Sequence, residues 1–116
     1  MDKNGAVAIV SGGRAPKIYN GKIVILINER CASTTEAFVA VVKEMNLATL
    51  VGSKTRGAVL SAVSEKTVDD WLVRYPKADY RTPQGKRTEG VGVEPDVAAE
   101  KNKELETALQ MFEKSN

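Results

Sequence analysis

Two largely apolar runs bracket an amphipathic segment in the first half of the chain. Residues 23–27 are all apolar, and a second run, LATLVG, covers 47–52. Apolar runs without alternation are typical of buried inner strands in a layered α/β fold. Between them, apolar residues recur at helical spacing from about Thr34 to Asn46. We therefore predict two neighbouring buried strands, parallel to each other and joined by a right-handed helical crossover.

The second half of the chain has weaker patterns and more turn residues. Residues 58–64 and 70–76 predict strands at the margin of a sheet. The segment YRTPQGKRTEG at 80–90 predicts a hairpin turn, because it places proline and glycine between polar residues. The glycine-punctuated segment 90–96 predicts a short strand that its proline ends.

The two ends of the chain have simpler patterns. A short apolar run at 6–10 is followed by SGGRAP at 11–16, which predicts a turn or an exposed loop. Residues 102–114 predict a helix, since their apolar residues form one stripe, and Asn102 is its candidate cap.

Composition narrows the classes of protein and of site. The 116 residues support one domain, and the 42% hydrophobic and 28% charged fractions fit a globular chain without a membrane span. The near balance of 17 Lys and Arg against 15 Asp and Glu argues against nucleic acid as the main partner. The chain has no histidine, so it holds no complete Ser-His-Asp triad and no histidine-ligated zinc. The single cysteine, Cys31, excludes an internal disulfide and a cysteine-cluster metal site.

Ser33 is the strongest candidate for chemistry. It lies between the carboxyl end of the first predicted strand and the start of the helix. Ligands and nucleophiles collect at this edge of open α/β sheets. The unpaired amides at the helix start, that of Thr34 for instance, would hold the oxyanion formed by attack from Ser33. The alternative is that Ser33 is an N-cap, in a capping box with Glu36.

A serine nucleophile needs a base, and the chain offers few candidates. Lys54 is the nearest lysine after the second strand, with a solvated surface position as the alternative. Glu89 lies beside a glycine-rich turn and is a candidate residue to orient the base. The alternative is that Glu89 is a solvated charge on that turn. Cys31 is interpreted as a small residue packed at the strand end. Trp71 and Tyr75 are interpreted as packing residues. The alternative is that they line a groove that binds a peptide.

Three ordered blocks resemble one enzyme family. They are GKIVILINERCASTTEAF at 21–38, ATLVGSKTRGA at 48–58 and YRTPQGKRTEGVGVEPDV at 80–97. The first resembles the strand, serine-rich turn and glutamate-led helix of the carboxyl-terminal processing, or tail-specific, serine proteases. The second is similar to their Leu-Val-Gly-Glu-x-Thr-x-Gly segment, and the third to their Tyr-x-Thr-Pro-x-Gly and Gly-Val-x-Pro-Asp block.

The resemblance places the family's nucleophile at Ser33 and separates two branches. In the lysine-dependent branch, the base is a lysine whose position is Ala58 here, and an assisting glutamine falls on Ala62. The Thr-x-Gly-Ala form instead resembles the tricorn-like branch, in which a histidine from an earlier part of the chain is the base. A glutamate just before the Gly-Val-x-Pro-Asp block assists in that branch, and Glu89 stands in the matching place.

The resemblance implies an α/β fold of the crotonase-like (ClpP/crotonase) spiral type, with the tail helix on its outside. Residues 1–116 would be the C-terminal portion of the catalytic domain, and the upstream half and the PDZ-like domain would precede Met1. It implies a serine-type endopeptidase that cleaves polypeptides near their C-termini. Ser33 would be the nucleophile, the Thr34 amide would stabilise the oxyanion, and the base would come from outside this chain.

Two other functions stay open. One is a catalytically inactive peptide-binding or ligand-binding module of the same fold. The other is a crotonase-like acyl-thioester enzyme, which is disfavoured because the three blocks match the proteases. The resemblance implies no metal or organic cofactor, a polypeptide partner and a periplasmic or extracytoplasmic parent, while the composition and the length of the apolar runs predict no nucleic-acid partner and no membrane span.

Overall fold

The computed structural model describes residues 19–114, so the apolar run at 6–10 and the loop at 11–16 lie outside the described residues. The elements, in chain order, are β1 (Val24–Ile27), α1 (Thr34–Glu44), β2 (Thr49–Gly52), β3 (Ser61–Lys66), β4 (Leu72–Ala78), β5 (Val97–Ala98) and α2 (Glu104–Lys114). The fold is mixed α/β. In this part of the chain, no helix is long and apolar enough to cross a membrane.

The predicted parallel pairing of the two runs, with a helix between them in the chain, is confirmed. Strands β1 and β2 pair in parallel from Val24 opposite Thr49 to Ile27 opposite Gly52. Strand β5 continues the sheet as a parallel neighbour on the other side of β2, in the order β1-β2-β5. Because the strands are parallel, the loops that follow β1 and β2 leave the sheet at the same edge.

The core lies between α1 and the sheet. Ile27, Val39, Val42 and Leu50 are buried against one another there. Both faces of β2 are covered, since Leu50 and its neighbour Val51 are each 0% exposed. This matches the largely apolar pattern of the second run, because a central strand needs apolar side chains on both faces.

The prediction of two covered faces is wrong for β1. Leu26 is 42% exposed, on the face opposite to Ile25 and Ile27, which pack towards α1. Helix α2 reaches this face only partly: Leu105 of α2 and Asn102, which precedes the helix, line the same cavity as Leu26. The strand is therefore an edge strand among the described residues, with one half-covered face.

Helix α1 ends close to its predicted boundary. The last helical residue is Glu44, and Asn46 follows in a left-handed conformation with φ of 53°. The amide of Leu47 donates to the carbonyl of Val42 at 3.0 Å, and the Asn46 amide donates to Lys43 at 3.2 Å. This is the Schellman arrangement, in which asparagine is a favoured alternative to glycine.

The strands predicted at the margin of the sheet form a separate hairpin instead. Strands β3 and β4 pair only with each other, antiparallel, and every residue of β4 is exposed. The interpretation of Trp71 as a packing residue is wrong, because its side chain is 72% exposed at the hairpin end. The edge of β2 is occupied by β5, so no position next to β2 remains for the hairpin.

The short strand predicted at 90–96 is also wrong. Gly90 and Gly92 adopt positive φ values of 73° and 76°, which bend the backbone out of an extended path. The paired residues begin only at Val97, after Asp96 has bonded to β2 through both its amide and its carboxylate. The turn predicted within 80–90 is confirmed, with an antiparallel bridge that joins Arg81 and Arg87.

Helix α2 confirms the predicted tail helix, but not its cap. The Thr107 amide donates to the Lys103 carbonyl at 2.9 Å, so Lys103 holds the N-cap position. Asn102 lies outside it with φ of 65°. At the far end, the Lys22 ammonium lies 5.3 Å from the centre of the Phe112 ring, which ties α2 to the start of β1.

Gly52→Ala tests the close contact of β1 and β2. An added Cβ would overlap the carbonyl oxygen of Ile27, and the φ of 137° disfavours any side chain. We expect a loss of about 3 kcal/mol in the free energy of unfolding, since overpacking and backbone strain add. Gly85→Ala is the matched control, because Gly85 also has positive φ but open space around it. Equal losses in the two variants, measured by denaturant titration, would contradict the predicted clash.

Candidate active site

The site is built where the loops after β1 and β2 meet. The Ser53 amide donates to the carbonyl of Ile27 at 3.0 Å. Further along, the Arg56 amide donates to the carbonyl of Cys31 at 3.0 Å, and the Ser33 amide donates to the carbonyl of Ala58 at 2.7 Å. The second loop therefore runs alongside the turn that carries Ser33, at the carboxyl edge of the sheet, as the parallel pairing predicts.

Ser33 holds the N-cap position of α1 without capping the helix through its side chain. Its φ of 59° and ψ of −131° lie outside the extended conformation of a side-chain cap, and its hydroxyl makes no capping hydrogen bond. Its carbonyl instead accepts the amides of Glu36 and Ala37 at 3.0 and 3.2 Å. The prediction of a side-chain N-cap is therefore wrong, and the Ser33 hydroxyl is not used by the helix.

The backbone of Ser33 is strained. A positive φ is rare for a residue with a Cβ atom and costs on the order of 1–3 kcal/mol. A serine on a sharp strand-to-helix turn is also the geometry that exposes a nucleophile in other hydrolase folds. Ser33 is exposed, so an unused hydroxyl, an exposed position and a strained turn coincide at one residue.

Substitutions at Ser33 separate strain from capping. Ser33→Ala is expected to change the free energy of unfolding by less than about 0.5 kcal/mol, because no side-chain hydrogen bond is lost. Ser33→Gly is expected to raise it by about 0.5–1 kcal/mol, since relief of the positive φ exceeds the added entropy of the unfolded chain. Denaturant titrations of both variants measure this, and a loss of about 1 kcal/mol in Ser33→Ala would restore the capping role.

The capping box predicted with Glu36 is also wrong. The Glu36 side chain is 0% exposed and faces the second loop. Its carboxylate accepts the amide of Gly57 at 2.5 Å and that of Ala58 at 2.8 Å. Since Ala58 in turn holds the Ser33 amide, Glu36 fixes the loop against which Ser33 is placed.

Glu89 lies on the other side of the same loop. Its carboxylate accepts the amide of Val59 at 2.6 Å and that of Leu60 at 3.2 Å. The Gly90 amide donates to the Gly57 carbonyl at 2.8 Å, so backbone and side chain both join the two segments. Glu89 is therefore not a solvated turn charge. The structure brings it to the loop that holds the Ser33 amide.

Two glycines allow the third block to approach this loop. The Thr55 amide donates to the Val93 carbonyl at 3.1 Å, and the Val93 amide donates to the Thr55 hydroxyl at 2.8 Å. A Cβ on Gly92 would lie 2.5 Å from the Thr55 carbonyl oxygen, and one on Gly57 would lie 3.0 Å from the Gly92 nitrogen. Gly57 in the second block and Gly92 in the third block are thus needed for the two backbone segments to lie this close together.

The remaining candidates have simpler positions. The Lys54 ammonium lies 3.9 Å from the Glu94 carboxylate with about half of its side chain exposed, which fits the surface alternative. Cys31 packs against the core, as predicted. Thr34 is the first residue of α1, so its amide is among those that lack a partner within the helix. Among residues 19–114, no group of three or more acidic, cysteine or histidine side chains could hold a metal ion.

Glu29 adds a negative charge at this edge of the sheet. A hydrogen bond from its own backbone amide holds the pKa of the Glu29 carboxyl below its usual range, against the opposing effect of desolvation. The Ser53 hydroxyl, 3.3 Å away, and the Lys101 ammonium, 4.0 Å away, also favour the ionised form.

Comparison with known proteins identifies the family to which the chain belongs. The sequence profile of Peptidase family S41 matches residues 2–99. The chain therefore belongs to Peptidase family S41.

The relatives with similar sequences are bacterial and much longer. Over 77 residues, the chain is 35% identical to a "Probable CtpA-like serine protease" of Staphylococcus epidermidis, which covers 66% of this chain and 16% of that protein. Over 75 residues, it is 37% identical to the protein of the same name in Staphylococcus aureus, at 65% and 15% coverage. The chain thus spans about one sixth of the length of these relatives.

Two solved structures have a similar fold over most of this chain. The photosystem II D1 C-terminal processing protease matches with a TM-score of 0.63 and 29% identity, over 69% of this chain and 21% of that one. The tricorn protease matches with a TM-score of 0.73 and 23% identity, over 82% of this chain and 10% of that one, which shows likeness of fold alone.

Proposed function

We propose that this chain carries the nucleophile of a serine endopeptidase of crotonase-like fold that acts on polypeptides near their C-termini. Ser33 Oγ attacks the scissile carbonyl, and the Thr34 amide donates a hydrogen bond to the oxyanion. A histidine from outside the chain, as in the tricorn-like branch, takes the proton of Ser33 and returns it to the leaving amine. Water then hydrolyses the acyl-enzyme and frees Ser33.

The observation that carries the proposal is the backbone conformation of Ser33. An exposed serine with φ of 59°, whose hydroxyl does not cap its own helix, has no structural use for that strain. Strained residues persist where the surrounding structure holds them, and they cluster at active sites. Here Glu36, Ala58 and Glu89 supply that surrounding structure.

Glu89 fits the role of an orienting carboxylate. One oxygen, Oε2, accepts both loop amides, which leaves Oε1 to receive the N–H of an incoming base. Ala58 and Ala62 stand where the lysine-dependent branch has its base and glutamine. This supports the tricorn-like assignment, and the family's extracytoplasmic members support a periplasmic or extracytoplasmic location.

The second candidate is a catalytically inactive peptide-binding module of the same fold. The observation that favours it is the absence of both histidine and a lysine at position 58 from this chain. The two functions differ in whether Ser33 becomes reactive once a base is placed beside it.

An installed lysine tests the proposal on the 116-residue chain. The unaltered chain should react with a fluorophosphonate probe only slowly, since its Ser33 has no base. In Ala58→Lys, whose backbone carbonyl binds the Ser33 amide, we expect labelling to become at least about tenfold faster. Mass spectrometry should place the adduct on Ser33, and Ala58→Lys with Ser33→Ala should lose it.

Ala58→Met is the matched control, because methionine has a side chain of similar length without a base. If both variants are folded, as measured by circular dichroism, equal labelling of the methionine and lysine variants would contradict the assignment of Ser33 as nucleophile and favour the binding module. Rapid labelling of the unaltered chain would instead show that a base such as Lys54 is already in place.

A further inference from the structure

The chain turns sharply between the end of β1 and Ser33, and Asn28 holds this turn. Asn28 is the first residue after β1. Its side-chain oxygen Oδ1 accepts the amide of Arg30 at 2.9 Å, and its backbone carbonyl accepts the amide of Cys31 at 3.0 Å. The first bond is that of an Asx turn, and the second closes a β-turn over residues 28–31. The Asn28 side chain therefore supports the turn that leads from the sheet to Ser33.

The turn ends at Cys31, where the chain joins the second loop. The Cys31 carbonyl accepts the Arg56 amide at 3.0 Å, and the Ser33 amide donates to the Ala58 carbonyl at 2.7 Å. The Cys31 side chain packs against the core. Cys31 is thus bonded to Asn28 through its amide and to the second loop through its carbonyl, so a change in the turn reaches the segment that carries Ser33.

Ser33 has to be held in its strained conformation from both sides. Its φ of 59° persists only while the surrounding structure prevents the backbone from relaxing. On the helix side, the Ser33 carbonyl accepts the amides of Glu36 and Ala37. On the strand side, the turn over 28–31 ends two residues before Ser33. Without the Asn28 side chain, residues 29–32 gain rotational freedom, and the direction of the Ser33 hydroxyl is less well fixed.

We infer that Asn28 is a positioning residue for the nucleophile, because its Asx turn holds Ser33 in the orientation from which Oγ attacks. The inference rests on the proposed function, since it takes Ser33 as the nucleophile. Asn28 acts through the backbone of Cys31 and is not a catalytic residue. The role needs an acceptor oxygen on a short side chain, because the Asx turn joins a side chain to the amide two residues further on. Aspartate meets this requirement, and glutamine, which has one more methylene group, does not.

Asn28→Gln and Asn28→Asp, each combined with Ala58→Lys, test the role by the rate at which a fluorophosphonate labels Ser33. Glutamine keeps the amide group but not the Asx turn, so we expect labelling to be about fivefold or more slower than in Ala58→Lys alone. Aspartate keeps the acceptor, so labelling should stay within about twofold. Asn46→Gln is the matched control, because it makes the same chemical change just beyond the far end of α1 and should leave the rate within about twofold.

Amide hydrogen exchange, followed by NMR in chains that keep Ala58, measures the same role without any chemistry at Ser33. In Asn28→Gln, the amides of Arg56 and Ser33 should exchange at least about tenfold faster, and in Asn28→Asp they should keep their rates. The Leu50 amide in the core is the internal reference, because a general loss of stability would speed its exchange by the same factor. If Asn28→Gln does not fold, Asn28→Ser, whose hydroxyl forms the same turn more weakly, replaces it and should show the same changes at smaller size.

Equal labelling of the glutamine and aspartate variants, unchanged exchange of the Ser33 amide, or an equal rise at Leu50 would overturn the inference. The proposed function fails separately. If Ala58→Lys alone is not labelled at Ser33, catalysis is removed, and the exchange rates alone decide whether Asn28 holds the turn. If Ala58→Lys is labelled equally fast with and without Asn28→Gln, the nucleophile is kept and the role of Asn28 is removed.

Discussion

Ser33→Ala is expected to lower peptide turnover by about a thousandfold or more in the proposed protease, in which a histidine from outside this chain would be the base. The covalent route disappears with the nucleophile, while the fold stays intact because the helix loses no side-chain cap. Peptide turnover and thermal midpoint, measured together, separate the two effects. The thermal midpoint should stay within a few degrees of that of the unaltered protein.

Glu89→Gln is a second variant of the same site with a smaller expected effect on turnover. It should reduce turnover less than Ser33→Ala does, since an orienting carboxylate acts only through the base. It also weakens the bonds to Val59 and Leu60, so a lowered midpoint should accompany the lower turnover. Near-normal turnover in Ser33→Ala would remove Ser33 from the chemistry, whereas peptide binding without turnover in the unaltered protein would favour the peptide-binding module.

The crossover and the position of Ser33 could be predicted because both depend on local patterns. The apolar runs around 23–27 and 47–52 need burial, and a helix that joins parallel strands leaves few arrangements. Parallel pairing then places the loops after both strands at one edge, whatever the rest of the chain does. The ends of α1 follow from short-range signals as well, such as Asn46 in a left-handed conformation.

The role of Glu36 could not be predicted, since it depends on contacts distant in sequence. A serine three residues before a glutamate at a helix start is the pattern of a capping box. The loop amides of Gly57 and Ala58 compete with the amide of Ser33 for that carboxylate. The loop amides bind it because, once buried, they would otherwise lack hydrogen-bond acceptors. No local pattern reports that competition.

The strands of the hairpin could be predicted from the sequence, but their pairing partners could not. Residues 58–64 and 70–76 have the composition of strands, and they do form β3 and β4 with small shifts. Composition does not say which strand becomes the neighbour of β2. That is decided by Asp96, whose amide and carboxylate bind the backbone of Leu50 and bring β5 to the edge.

Glu36→Gln is expected to lower the free energy of unfolding by about 3 kcal/mol. The carboxylate accepts the amides of Gly57 and Ala58 with its two oxygens, in a fully buried position. Glutamine has only one oxygen, so its amide nitrogen would face a loop N–H as donor against donor. A buried donor left without an acceptor costs about 1–3 kcal/mol, and the loss of a charge-assisted bond adds to this.

Exposed Glu113→Gln is the matched control, because it makes the same chemical change in α2 away from the core. Its free energy of unfolding should stay within about 0.5 kcal/mol of that of the unaltered chain. Hydrogen exchange provides the second measurement. In Glu36→Gln, the amides of Gly57, Ala58 and Ser33 should exchange faster together, since Glu36 holds the loop and the loop holds Ser33. If the Ser33 amide keeps its protection while the loop amides lose theirs, then Ser33 is held by its own turn, and Glu36 contributes to stability without positioning the nucleophile.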